Sequence, residues 1–140
     1  MTVPLGASIT QGLDVSQHPD DTTQGGYRQP LREQLRFSGW EVNYIGSKEN
    51  GLFADNQNEG HPGYVIDQVK SAMDPVLKDE KPNLVLINAG TNDCTQADSL
   101  FGGIAYVEGV GQRYQELLDR KLHENPRPIF DIYANQFSDL

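Results

Sequence analysis

The sequence predicts an α/β fold: a doubly wound parallel sheet held between two helix layers. Short apolar runs alternate with stretches whose apolar residues recur at helical spacing, the pattern of sheet strands and covering helices. The run LVLI at 84–87 is apolar at four consecutive positions, as expected of a parallel strand covered on both faces. With 140 residues, no internal repeat and no low-complexity tract, the chain reads as one domain. A domain of that size buries about two-thirds of the surface its unfolded chain exposes.

Strands are predicted over residues 2–5, 41–46, 83–88 and 128–133, the third at the centre of the sheet. Helices are predicted between them. Residues 29–37 have Pro30 near the start and Gly39 just beyond the end; residues 64–73 carry Ile66, Val69 and Met73 on one side. In residues 110–123, Val110, Tyr114, Leu117, Leu118 and Lys121 or Leu122 recur at helical spacing, which marks a core face rather than a site. Asn125-Pro-Arg-Pro then breaks the helix. Polar loops at 13–26, 47–62 and 91–104 all leave the carboxyl ends of predicted strands, the edge where open parallel sheets bind ligands.

Composition narrows the function. Eleven Lys and Arg against 20 Asp and Glu give a formal charge of −9 without a basic stripe, so phosphate backbones and anionic membranes repel this surface. No nucleic-acid or membrane partner is expected. The longest apolar run is too short to span a bilayer, and the 140 residues carry no basic-then-apolar targeting pattern. A soluble protein is predicted, with its compartment unassigned. The single cysteine, Cys94, excludes an internal disulfide and any Cys-based zinc site. In ADNQNEGH, Asp55, Gln57 and Glu59 alternate as in a calcium loop, but the twelfth position is Ile66 where a bidentate Glu is needed. The run is read as a solvated loop. Neither Gly-x-Gly-x-x-Gly nor a Walker loop follows a strand, so no nucleotide, metal or other cofactor is expected.

The stretch PLGASITQG, residues 4–12, sets one hydroxyl, Ser8, after an apolar run and a Gly-Ala pair. There it can stand clear of its own backbone as a nucleophile, or cap local N–H groups as a turn serine. Ester hydrolysis through a serine also needs N–H donors where the carbonyl oxygen becomes negative. Gly63 in EGHPGY offers a bare backbone N–H at a helix start, and Asn92 in NAGTND offers a carboxamide. Each has a structural alternative: a helix-start glycine after Pro62, and a turn or N-cap residue together with Asp93.

Together these blocks resemble the SGNH hydrolases, also called the GDSL esterase/lipase family. PLGASITQG resembles the first block, GGYRQPL and VNYIGS the following helix and strand, NEGHPGYVIDQV the second block and NAGTND the third. The resemblance is nearest to acetylxylan-esterase-like carbohydrate esterases and covers roughly the first 95 residues. It implies a flavodoxin-like three-layer α/β/α fold, an acyl-enzyme on Ser8, oxyanion donors from Ser8, Gly63 and Asn92, and a carbohydrate or small-molecule ester as substrate.

Two positions depart from the pattern. Ala7 stands where the family has an aspartate before the serine, and the family's C-terminal Asp-x-x-His block occurs nowhere in the 140 residues. Asp14 with His18 and Asp119 with His123 are spaced by four, and His61 reads as a loop or packing residue. Because the chain stops at Leu140, soon after the predicted strand 128–133 with its Asp131, a domain incomplete at its C-terminus is expected, with an exposed sheet edge open to self-association. The competing function is a catalytically impaired relative that binds carbohydrate or protein through the same rim.

Overall fold

The computed structural model describes residues 1–13, 23–96 and 104–124. Strand β1 (Thr2–Gly6) lies inside the sheet. It pairs in parallel with β4 (Leu84–Asn88) along its whole length, from Thr2↔Leu84 to Gly6↔Asn88. On its other side β3 (Gln57–Gly60) runs parallel, with Leu5↔Glu59 and Gly6↔Gly60. The edge strand β2 (Lys48–Glu49) is antiparallel to β3, so the sheet is mixed, in the order β2-β3-β1-β4.

Helices cover both faces. In β4, Val85 and Ile87 point to one side and Leu86 to the other, the alternation that a strand geometry imposes. The first side packs Val3, Leu5, Val85 and Ile87 against α3 (Ile66–Glu80) and Leu117 of α6 (Val110–Glu124). The second packs Val42, Tyr44 and Leu86 against Leu31 and Leu35 of α2 (Arg28–Phe37). The predicted α/β/α layering is therefore present. Ile66, Val69 and Met73 are each fully buried, as their spacing predicts.

Three elements differ from expectation. Helix α3 starts at Ile66 rather than at residue 64 and runs through Pro75 to Glu80. The N–H that Pro75 lacks would have bonded the carbonyl of Ser71, an exposed residue whose carbonyl water can satisfy, while Val76 and Leu77 gain burial further on. The predicted strand 41–46 contributes a single parallel bridge, Tyr44↔Thr2, with bonds from the Thr2 N–H to the Asn43 carbonyl (2.9 Å) and the Ile45 N–H to the Thr2 carbonyl (2.9 Å). At Gly46 the chain leaves, because β3 takes over that side of β1: a Cβ on Gly46 would lie 2.3 Å from the Asn58 backbone.

The run expected to be a solvated loop instead holds β3. Asn58 is fully buried and Glu59 nearly so, and Asp55 pairs with Arg32. Short helix α4 (Thr91–Thr95) lies in a stretch read as loop, and α1 (Ser8–Gln11) and α5 (Ile104–Glu108) form where no element was predicted. Strand 128–133 and the edge it would expose, and Asp14, His18 and Asp131, lie outside the described residues. No helix among the described residues is long and apolar enough to cross a membrane.

Candidate active site

The three strand ends that point to the polar loops are level with one another. Gly6 pairs with both Gly60 and Asn88, and the His61 N–H donates to the Gly6 carbonyl at 2.9 Å. Ser8, Gly63 and Asn92 follow those ends within a few residues, so they share one rim of the sheet. Gly6 is required for this. A Cβ there would lie 2.1 Å from the Asn88 carbonyl oxygen and 2.4 Å from Thr10 Oγ1.

Ser8 opens α1 and is half-buried. The residue at the N-cap is Ala7, no side chain caps the helix, and the Ser8 hydroxyl makes no hydrogen bond among the described residues. The first bonds of the helix are Gln11 N–H to the Ala7 carbonyl and Gly12 N–H to the Ser8 carbonyl, which leaves the Ser8 N–H among the uncommitted donors of a helix start.

Gly63 sits in a turn, not at a helix start as expected. The Tyr64 N–H donates to the His61 carbonyl (3.1 Å) across Pro62 and Gly63, and Gly63 has φ +81°. Proline second and a positive-φ glycine third is the type II turn pattern. Around Gly63 there is open space, since an added Cβ would meet only Gln96 Nε2 at 4.0 Å. Its N–H finds no acceptor among the described residues.

Asn92, half-buried in α4, donates from Nδ2 to the Tyr64 carbonyl at 2.9 Å. A carboxamide nitrogen carries two hydrogens, so a second remains for another acceptor. Gln96 Nε2 donates to the Gly63 carbonyl at 3.0 Å. The Gly63 turn and the Asn92 helix are therefore joined directly, whereas Ser8 is brought to them by strand register.

Three buried polar residues behind this rim were not read from the sequence as supports of the site. Asp93, fully buried, accepts the Ile66 N–H (2.9 Å) at the start of α3 and, on its other oxygen, Arg113 Nε (3.4 Å) and the Tyr106 hydroxyl (3.3 Å). Arg113 also stacks 3.6 Å above the Tyr106 ring. Burial, and next the Asp93 charge, raise the Tyr106 phenol. Arg28, also fully buried, donates to the carbonyls of Asn56 (2.8 Å), Gln11 (2.9 Å) and Asn50 (2.8 Å), tying α1 to the β2–β3 hairpin, and desolvation lowers its pKa. Glu59 accepts the Ser47 N–H (2.8 Å) and hydroxyl (2.9 Å) and contacts His61 Nε2 at 2.5 Å. His61 stacks on Tyr64 with ring centroids 4.6 Å apart. The signal for that pair was spacing: residues i and i+2 at a strand end share a face.

Ser8, the Gly63 turn and Asn92 thus follow the ends of three adjoining strands of an α/β sandwich. The chain belongs to the GDSL-like lipase/acylhydrolase family, whose profile matches residues 3–135. A family 3 carbohydrate esterase of Clostridium thermocellum shares the fold with a TM-score of 0.74 at 24% identity, over 96% of this chain and 62% of its own. A family 3 carbohydrate esterase from Talaromyces cellulolyticus gives 0.66 at 20% identity, over 93% and 59%. The acetyl xylan esterase AlAXEase gives 0.61 at 19% identity, over 93% and 56%. The chain thus spans less than two-thirds of the length of these structures. No curated protein sequence matches it.

Proposed function

We propose that the chain carries the acyl-binding half of a serine esterase site, acting on acetyl or other small acyl esters of carbohydrate. Ser8 Oγ attacks the acyl carbonyl, the bond to the alcohol breaks, and water then releases the acid from the acyl-enzyme. The Ser8 N–H, the Gly63 N–H and the second Asn92 Nδ2 hydrogen hold the oxygen that becomes negative. The observation that supports this reading is the level ending of β1, β3 and β4, together with a Ser8 hydroxyl and a Gly63 N–H that find no partner among the described residues. Family membership and the carbohydrate-esterase fold neighbours support the substrate class.

The proton acceptor is the open part of the site. No Asp-x-x-His occurs in the 140 residues, and His61 Nε2 is engaged by Glu59. Donors and binding alone sustain catalysis roughly a thousandfold above water, so low turnover is expected. A second reading is a binding module for acylated carbohydrate at the same rim. One experiment separates them: a chromogenic acetate ester and a fluorophosphonate, each with the chain and with Ser8→Ala. Turnover and labelling that vanish with Ser8 support the esterase; either one persisting in Ser8→Ala refutes the role of Ser8. Silence from both proteins favours the binding module.

A further inference from the structure

We infer that the Glu59–His61 pair is a positioning device that sets both oxyanion donors, Gly63 N–H and Asn92 Nδ2, from one buried anchor. This role rests on the oxyanion reading of those two groups. The anchor is Glu59, whose side chain is only 3% exposed and whose two oxygens are fixed by the Ser47 N–H and hydroxyl at the β2 side of the hairpin. A carboxylate only accepts, so the His61 imidazole presents its Nε2 proton to it and the ring is held in one orientation. That ring lies nearly parallel to Tyr64, at 14°, closing the two ends of the turn that carries Gly63.

The same contact reaches the second donor. The carbonyl of Tyr64 is the acceptor that takes one Asn92 Nδ2 hydrogen, so where Tyr64 sits decides where the other hydrogen points. Ser47, Glu59, His61, Tyr64 and Asn92 form a continuous line from the hairpin to α4, with the Gly63 turn hung from its middle. Oxyanion donors act only when placed to within a fraction of an ångström, and such placement has to come from rigid neighbours. His61 is then neither a proton shuttle nor simple packing.

The test compares His61→Ala, which loses both contacts, with His61→Gln, which keeps a donor toward Glu59, and with Glu59→Gln. The ligand-free chain is followed by the ¹⁵N signals of the Gly63 amide and the Asn92 side-chain NH₂; kinetics use a chromogenic acetate. In His61→Ala both signals move and the Asn92 protons exchange faster. kcat falls about tenfold to a hundredfold with KM within about twofold, and His61→Gln recovers most of the loss. Unmoved signals in His61→Ala, or a loss in His61→Gln as large as in His61→Ala, overturn the inference. Should His61→Ala not fold, Glu59→Gln decides by the same two signals. If the parent chain shows no Ser8-dependent turnover, the esterase reading fails, while the ligand-free signals still decide the positioning role.

Discussion

Along β1 and β4 cohesion is apolar contact: Val3, Leu5, Val85 and Ile87 sit against α3 and α6 with almost no exposed surface. In neighbouring β3 and around the strand ends the buried residues include Asn58, Glu59, Asp93 and Arg28, each held by directed hydrogen bonds. Apolar burial depends on area and volume and accepts substitutes of similar size; a buried polar group is favourable only with its partners in place. The comparison explains why the candidate site lies where it does. A rim built from directed bonds fixes donors to specific positions, and a core built from apolar contact supplies the stability needed to hold that rim in place.

The sharpest way to break this contrast is at Asp93. Asp93→Ala strands the Arg113 charge and the Ile66 N–H, and we expect a loss of about 3–5 kcal/mol in urea unfolding. Leu86→Met, which roughly keeps core volume, should cost less than about 1.5 kcal/mol. Equal losses would erase the distinction.

A smaller effect appears at high pH. Burial pushes the Tyr44 phenol up to about 12, while its hydroxyl donates to the Arg28 carbonyl at 3.0 Å. The neutral phenol is favoured in the folded state, so its contribution is complete below the ordinary phenol value near 10 and is lost as pH rises through about 12. Denaturant midpoints should fall over that window by an amount equivalent to roughly 2–3 kcal/mol. Tyr44→Phe should flatten this decline; an equally steep decline in the variant would assign it to other groups.

Smallest of all is the exposed pair of Arg120 with Asp74, at 2.7 Å between α6 and α3. Arg120→Ala should change stability by less than about 1 kcal/mol and lose even that in high salt. A larger cost would mean that directed bonds matter on the surface as much as at the rim.

The same division governs what the sequence made legible. Period and apolarity located β1, β4, α2, α3 and α6, because each buries an apolar face. They missed the β2–β3 hairpin, whose buried positions are Asn58 and Glu59, amides and carboxylates that look like loop until their partners are known. That α3 continues past residue 73 through Pro75 left no signal, since the proline's cost falls on an exposed carbonyl. The positions of Ser8, Gly63 and Asn92 beyond strand ends were legible from the small and amide residues that follow each apolar run. Their support was not: Asp93 stands in NAGTND and reads as a turn residue, yet it caps α3, 27 positions earlier in sequence. Long-range polar pairing leaves no periodic trace.

On the proposed reading, Ser8, Gly63 and Asn92 address a single oxygen. The structure of the chain with a small alkylboronic acid bound at Ser8 tests it most directly, because the tetrahedral boronate imitates the attacked carbonyl. One boronate oxygen should lie within about 2.7–3.1 Å of the Ser8 N, the Gly63 N and the Asn92 Nδ2. An adduct whose oxygens reach only one of these groups, or all face solvent, contradicts the account.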